Sequence, residues 1–200
     1  MERSRNLKEI LIRLRNLSQL MVDLGYAALM EDSFELAQEA IRVKAEIREL
    51  SYDLRKEALM VARFSRNSKE DIPQIANILQ IGVAIKEMSD GIDDLIEIVI
   101  RNVGVHPIIK MAYIKKEMRT MRFEVEEDSR LDDKKLEDVT LDIKTGFKVV
   151  AIRRGEKWIL NPHGKTSVKK GDVLIVEGRD ISIRKMQEYV KGKKKEEKKR

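Results

Sequence analysis

The 200-residue sequence contains no cysteine, which excludes disulfides, thiolate metal sites and cysteine nucleophiles. It has no uninterrupted run of about 18 apolar residues and no basic-then-apolar leader, so neither a transmembrane helix nor a signal peptide is expected. The location this implies is cytoplasmic, with the inner face of the membrane as a place to work. No P-loop, GxGxxG, HExxH or GxSxG motif is present, and the two histidines, His106 and His163, stand far apart. No catalytic residue is assigned, and the expectation is a protein that is not an enzyme. Proline is limited to three residues. Pro73 and Pro107 suit the first turn of a helix, and Pro162 suits a tight turn.

Charge is what the sequence has in abundance. Charged residues make up 38% and apolar residues 42%, interleaved at helical spacing, as in long amphipathic helices washed by solvent. The net charge of +6 is unevenly placed. Residues 191–200 (KGKKKEEKKR) carry seven basic and two acidic side chains, so the rest of the chain is close to neutral. A near-neutral body lacks the clustered positive face that phosphate binding needs, and a nucleic-acid partner is not expected. The tail has little to bury and reads as disordered.

Three long helices are expected. In residues 4–30, Leu7, Ile10, Leu14, Leu17, Met21 and Leu24 form one stripe. Asp32-Ser33 breaks it and offers a cap, after which Leu36, Ala40, Val43, Ile47, Leu50 and Leu54 form a bundle seam. Residues 65–69 are a polar break. Residues 70–103 then carry Ile78, Ile81, Ile85, Met88, Ile92, Leu95, Val99 and Val103. Short connections favour antiparallel packing of successive helices. A fourth helix is expected from Pro107, through Ile108, Met111, Ile114, Met118 and Met121, toward Arg119 or Arg122.

Beyond this point the pattern changes to strands. Residues 123–126 alternate apolar and acidic and read as the first strand, with a helical turn or two at residues 134–139. Residues 147–153 and 158–160 read as a hairpin around Gly155, Asn161-Pro162-His163-Gly164 as a second turn, and Lys170-Gly171-Asp172 as a third. Residues 173–177 are apolar in succession, as in a strand covered on both faces, and residues 180–190 read as a closing helix. The fold class is α+β, with an N-terminal antiparallel helix bundle followed by a small α/β domain. The domains are residues 1–121, residues 122–190 and the tail of residues 191–200.

Two places could hold a ligand. On the third long helix Asp90, Asp94 and Glu97 share a face, an arrangement that hard cations favour and that also describes a solvated acidic surface. In the second domain Arg153 and Arg154 follow an apolar strand beside turns that could present backbone amides to an anion. Of the histidines, His106 reads as a helix-entry or a partly buried residue, and His163 as an exposed turn residue.

The segment TGFKVVAIRRG (residues 145–155), the pair Asn161-Pro162 and the segment KGDVLIVEG (residues 170–178) resemble, in this order, the motifs of the RCK-C domain, also called TrkA-C. In the helical half ELAQEAI (residues 35–41), YDLRKEAL (residues 52–59), Ser89-Asp90 and VHP (residues 105–107) resemble a PhoU-type domain. PhoU proteins often carry ExxxD sets that bind metal. The matching positions here are Lys44 to Arg48 and Lys86 to Asp90, so three of the four acids are replaced by cations and no metal is carried over.

The resemblance implies a regulatory subunit of potassium or other cation transport that senses a small ligand and acts on a membrane transporter or channel. It implies a homodimer whose RCK-C half holds a small anionic ligand such as a cyclic dinucleotide, with Arg153, Arg154, Asn161 and Pro162 as ligand-binding residues. The alternative is a phosphate-response adaptor working through protein contacts.

Overall fold

The computed structural model describes residues 2–65, 68–102, 104–113, 118–127, 129–143 and 146–191. The tail from residue 192 onward lies outside the described residues. The chain divides into two compact units, Met1–His106 and Pro107–Arg200.

The first unit is three long helices, α1 (Glu2–Glu31), α2 (Phe34–Arg63) and α3 (Ser68–Ile100), each packed against the other two. The break between α1 and α2 forms where the sequence places it. Asp32 takes a left-handed φ of 52°, and the Ser33 hydroxyl accepts from the Leu36 amide at 3.3 Å, capping α2. Leu36, Ala40, Val43, Ile47 and Leu54 are buried and Leu50 half-buried, so the expected seam of α2 is the real one.

In α3 the buried line lies elsewhere. It runs through Ile75, Gly82, Ser89 and Ile96 with Ile92 and Val99, while Ile81 and Met88 are exposed. The reason is close approach. Met21 and Ser89 touch across the bundle, with the Ser89 hydroxyl 3.2 Å from the Met21 sulfur, and small side chains let the helices come together. Hydrophobic spacing registers large apolar groups and passes over the glycine and serine that mark the contact.

The second unit holds α4 (Pro107–Tyr113), β1 (Met118–Glu124), α5 (Leu136–Ile143), β2 (Phe147–Arg154), β3 (Lys157–Leu160), β4 (Val173–Arg179) and α6 (Asp180–Lys191). The fourth helix is therefore much shorter than its apolar spacing suggests, and the first strand begins at Met118 instead of Phe123. Met118 and Met121 were expected on a helix face; Ile114 lies outside the described residues. Their segment is captured by β4, pairing antiparallel from Met118↔Arg179 to Glu124↔Val173, and the ladder overrides the local helical pattern.

The sheet order is β1-β4-β2-β3 and every ladder is antiparallel, so this unit is itself α+β and not a parallel α/β layer. Short turns can join antiparallel strands, whereas parallel neighbours need a long crossover. β4 is paired on both edges and buried at Val173, Leu174, Ile175 and Val176, as its continuous apolar run predicts. Leu174, Val176, Val149 and Ile152 join Leu136, Val139, Ile183 and Met186 of α5 and α6 in one core.

Candidate functional site

The residues singled out for ligand binding sit on the β2–β3 hairpin and the loop after it. Arg154 pairs with Lys157, leaving Gly155-Glu156 as a two-residue turn, and Gly155 supplies the positive φ of 59° that this turn requires. Successive side chains on a strand point to opposite faces, so Arg153 and Arg154 diverge and do not line one pocket together. Arg153 is half-buried beside Trp158 of β3 and Val173 of β4, and its Nη1 donates to the Gly155 carbonyl at 2.9 Å.

Arg154 is engaged inside the unit. Its Nε and Nη2 form a fork on the two Asp172 carboxylate oxygens at 2.8 and 2.7 Å, and Nη2 also donates to the Ser167 carbonyl at 2.8 Å. Asp172 is fully buried. Its carboxylate also accepts from the Lys169 amide at 2.8 Å, closing the turn in which Gly171 has a φ of 80°. The Asp172 carbonyl in turn accepts from the Val125 amide just past β1. The hydrogen bonds to Asp172 outweigh the effect of burial and raise the Arg154 pKa above its ordinary value. This pair ties the hairpin, the third turn and the end of β1 into one piece. A buried acid between a turn glycine and an apolar strand is a sequence signal that a cation must stand opposite, though it does not say which one.

Asn161 follows β3 with a left-handed φ of 47°, and its amide donates to the Val150 carbonyl at 2.9 Å. Its side chain is exposed and Pro162 beside it is half-buried. The loop then caps α5: the carbonyls of Gly164 and Thr166 accept from the Glu137 and Leu136 amides at 2.9 and 3.1 Å. The amides of Thr166, Lys169, Lys170 and Gly171 donate to His163, Asp172, Asp132 and Val125. Those turn amides are committed within the unit and are not open to an anion; of the side chains around the hairpin, Lys157 and Asn161 are exposed and Arg153 and Arg154 are half-buried. His163 is exposed, and His106, exposed as well, takes the helix-entry role of its two readings, standing just before α4.

The acidic face of α3 is bound up with cations. Lys44 Nζ lies 2.7 Å from Asp93 and 3.3 Å from Asp90, and Lys86 Nζ lies 2.5 Å from Asp90. Arg101 pairs with Glu97 at 2.6 Å. Among the described residues no group of three or more His, Cys, Asp or Glu could hold a metal ion. Lysine thus stands where the resemblance would put a metal, and Asp90 is paired with both Lys86 and Lys44. Burial works against the Lys44 ammonium, but hydrogen bonds to Asp93 and Asp90 together exceed it and raise its pKa. The hydrogen bond from Lys86, then that from Lys44, lowers the Asp90 pKa. A carboxyl whose pKa is depressed on folding stabilises the fold above its unfolded pKa, and the contribution is lost as pH falls through the depressed value. Replacing Lys44 with methionine should raise the Asp90 pKa toward the ordinary aspartate range. Carboxyl chemical shifts followed through an acid titration check this, and an unmoved Asp90 midpoint would show that Lys86 alone sets it.

Residues 120–191 match the TrkA-C domain and residues 11–99 the PhoU domain. The probable potassium channel protein 2 of Methanocaldococcus jannaschii is 32% identical over 81 residues, covering 40% of this chain and 24% of that protein. Potassium channel protein 1 of the same organism is 31% identical over 78 residues, covering 39% and 23%. The match thus spans about a quarter of each of these relatives. Among solved structures, the RCK_C domain dimer of S. agalactiae BusR in complex with c-di-AMP is 25% identical, with a TM-score of 0.33, covering 36% of this chain and 93% of that one. The RCK C domain of the potassium transport protein KtrA in complex with c-di-AMP is 20% identical, with a TM-score of 0.33, covering 41% and 94%. BusR in complex with its promoter DNA is 14% identical, with a TM-score of 0.34, covering 89% and 95%. The two family matches, in this order along the chain, identify it as a PhoU domain followed by a TrkA-C domain.

Proposed function

We propose that this protein regulates potassium transport, binding a small anionic ligand of the cyclic dinucleotide class through its TrkA-C domain and acting on a membrane transporter or channel at the cytoplasmic face. The observation that supports this most is the TrkA-C domain, found in a chain that is 31–32% identical over about 80 residues to potassium channel proteins of Methanocaldococcus jannaschii. Among the described residues no helix is long and apolar enough to cross a membrane.

The site geometry supports a division of labour among the four candidate residues. Arg153 and the Asn161 side chain contact the ligand, and Pro162 fixes the backbone that presents Asn161. Arg154 is a positioning residue, holding the hairpin to the Asp172 turn. A ligand seated between two paired TrkA-C domains would favour one dimer geometry and shift the population of a transporter bound to the dimer. Calorimetric titration of the full chain with c-di-AMP tests the reading. Saturable binding is expected, and Arg153→Ala and Asn161→Ala should each weaken it about tenfold or more, the equivalent of about 1.4 kcal/mol. Absence of any heat of binding at high ligand concentration would remove the dinucleotide from the proposal.

A further inference from the structure

We propose that the uncharged N-terminal half of α3 is a self-association surface, against which the same segment of a second copy of this chain packs. Residues 72–85 (IPQIANILQIGVAI) contain no charged side chain, in a chain that is 38% charged. The longest uncharged runs in α1 and α2 are seven residues, at 16–22 and 24–30. Elsewhere in the bundle, solvent-facing helix surface is broken up by Lys, Arg, Asp and Glu within two turns. Here it is not.

Nor does the fold of one chain use this surface up. Ile75 and Gly82 form its buried line, but Ile72 is 51% exposed, Ile81 49% and Val83 40%, and Pro73, Ala76 and Ala84 are exposed as well. A helix segment that is apolar around most of its circumference belongs in an environment covered on more than one side. The neighbouring surface of α2 adds two large apolar side chains, flanked by the exposed cations Arg55 and Lys56. Gly82 stands against Leu54, so in antiparallel α2 the exposed Tyr52 and Leu59 lie at the level of this half of α3.

The occupant follows from the chemistry of the face. With no cation or anion, residues 72–85 offer nothing to phosphates, lipid headgroups or a charged peptide. A two-fold axis lays a surface on itself, so every charge on it meets its like, and an uncharged face escapes that penalty. The polar groups on this segment fit the same condition. Gln74, Asn77 and Gln80 are exposed and spaced by three, and each amide both donates and accepts, so identical residues can bond one another across the axis. Carboxylates or ammonium groups at these positions could not. Interfaces between like chains are richest in apolar side chains and poorest in charge at their centre, which is the composition found here. This surface is separate from the ligand reading and does not depend on it.

Because the chain has no cysteine, one introduced thiol is a unique probe. In the full chain, Asn77→Cys and Gln80→Cys on α3 are compared with Glu49→Cys, an exposed position of α2, under mild oxidation. A covalent dimer is expected from at least one α3 variant at about ten times the yield of the Glu49 variant. Adding Ala84→Lys, at an exposed position that leaves the monomer's core intact, should cut that yield about tenfold by setting like charges face to face. Equal yields at all three positions, a native chain that is monomeric by light scattering at tens of micromolar, or an unchanged yield with Ala84→Lys would overturn the proposal.

Discussion

Replacing Arg154 with methionine is expected to destabilise the TrkA-C unit by about 3 kcal/mol, at the lower end of the cost of breaking a buried ion pair because the Arg154 side chain is 35% exposed and water screens it. Methionine keeps much of the aliphatic stem, so the loss isolates the guanidinium. What remains is a carboxylate with no exposure, held by the Lys169 amide after losing the fork. Removing the other partner, by Asp172→Ala, should cost less, because the stranded guanidinium can turn to solvent and keep the Ser167 carbonyl. A surface pair would give no such order, since either deletion there costs little. Trp158, the sole tryptophan, is buried on β3 within the same unit, so its fluorescence in a urea titration reports the effect locally. The double variant Arg154→Met/Asp172→Leu should recover part of the loss, since two apolar groups leave no buried charge unpaired. Equal costs for the two single variants would mean that Asp172 reaches water.

The same pair shows what could and could not be read from the sequence. The turns were legible because their chemistry is local: Gly155, Asn161 and Gly171 all adopt the positive φ that their places in turns require. The strand of residues 173–177 was legible because a run of consecutive apolar side chains has no other use in a small domain than burial on both faces. The partner of Arg154 was not, because Asp172 comes opposite it only after β2 and β4 have paired around the intervening β3 and loops. Two adjacent arginines on a strand look like one basic patch in sequence and are two opposed faces in space. In α4 and β1 the methionines at residues 111, 118 and 121 fit either a helical stripe or a strand, and only the presence of β4 as a template decides. The cation cluster of Lys44, Lys86, Asp90 and Asp93 was half legible: the sequence shows lysines beside the acids, and only the register of α2 against α3 brings Lys44 to Asp90 and Asp93.

The second large effect lies where α1 meets α3. Gly25→Leu is expected to lower the stability of the helical unit by about 3 kcal/mol, the upper end of ordinary overpacking. A Cβ at residue 25 would already overlap the Cγ2 methyl of Ile92, which is attached directly to the branched Cβ and has almost no rotamer freedom in a helix. The clash is therefore relieved by separating the helices, which loosens the contact of Met21 with Ser89 one turn away. The loss comes despite the better helix propensity of leucine, which on its own favours the variant by about 0.8 kcal/mol. Gly91→Ala separates the two influences. Gly91 is an exposed α3 residue one position from Ile92, and a Cβ there meets nothing within 4 Å, so this change should stabilise the unit by about 0.5 to 1 kcal/mol. Helical circular dichroism in a denaturant titration reads both variants. Opposite signs place the close approach at Gly25, whereas a gain from both would mean that Gly25 is only a weak point in α1 and that Ile92 moves aside freely. Ile92→Ala makes the distinction a second time, since it should cost less in the Gly25→Leu background than in the native chain if the two side chains compete for one space.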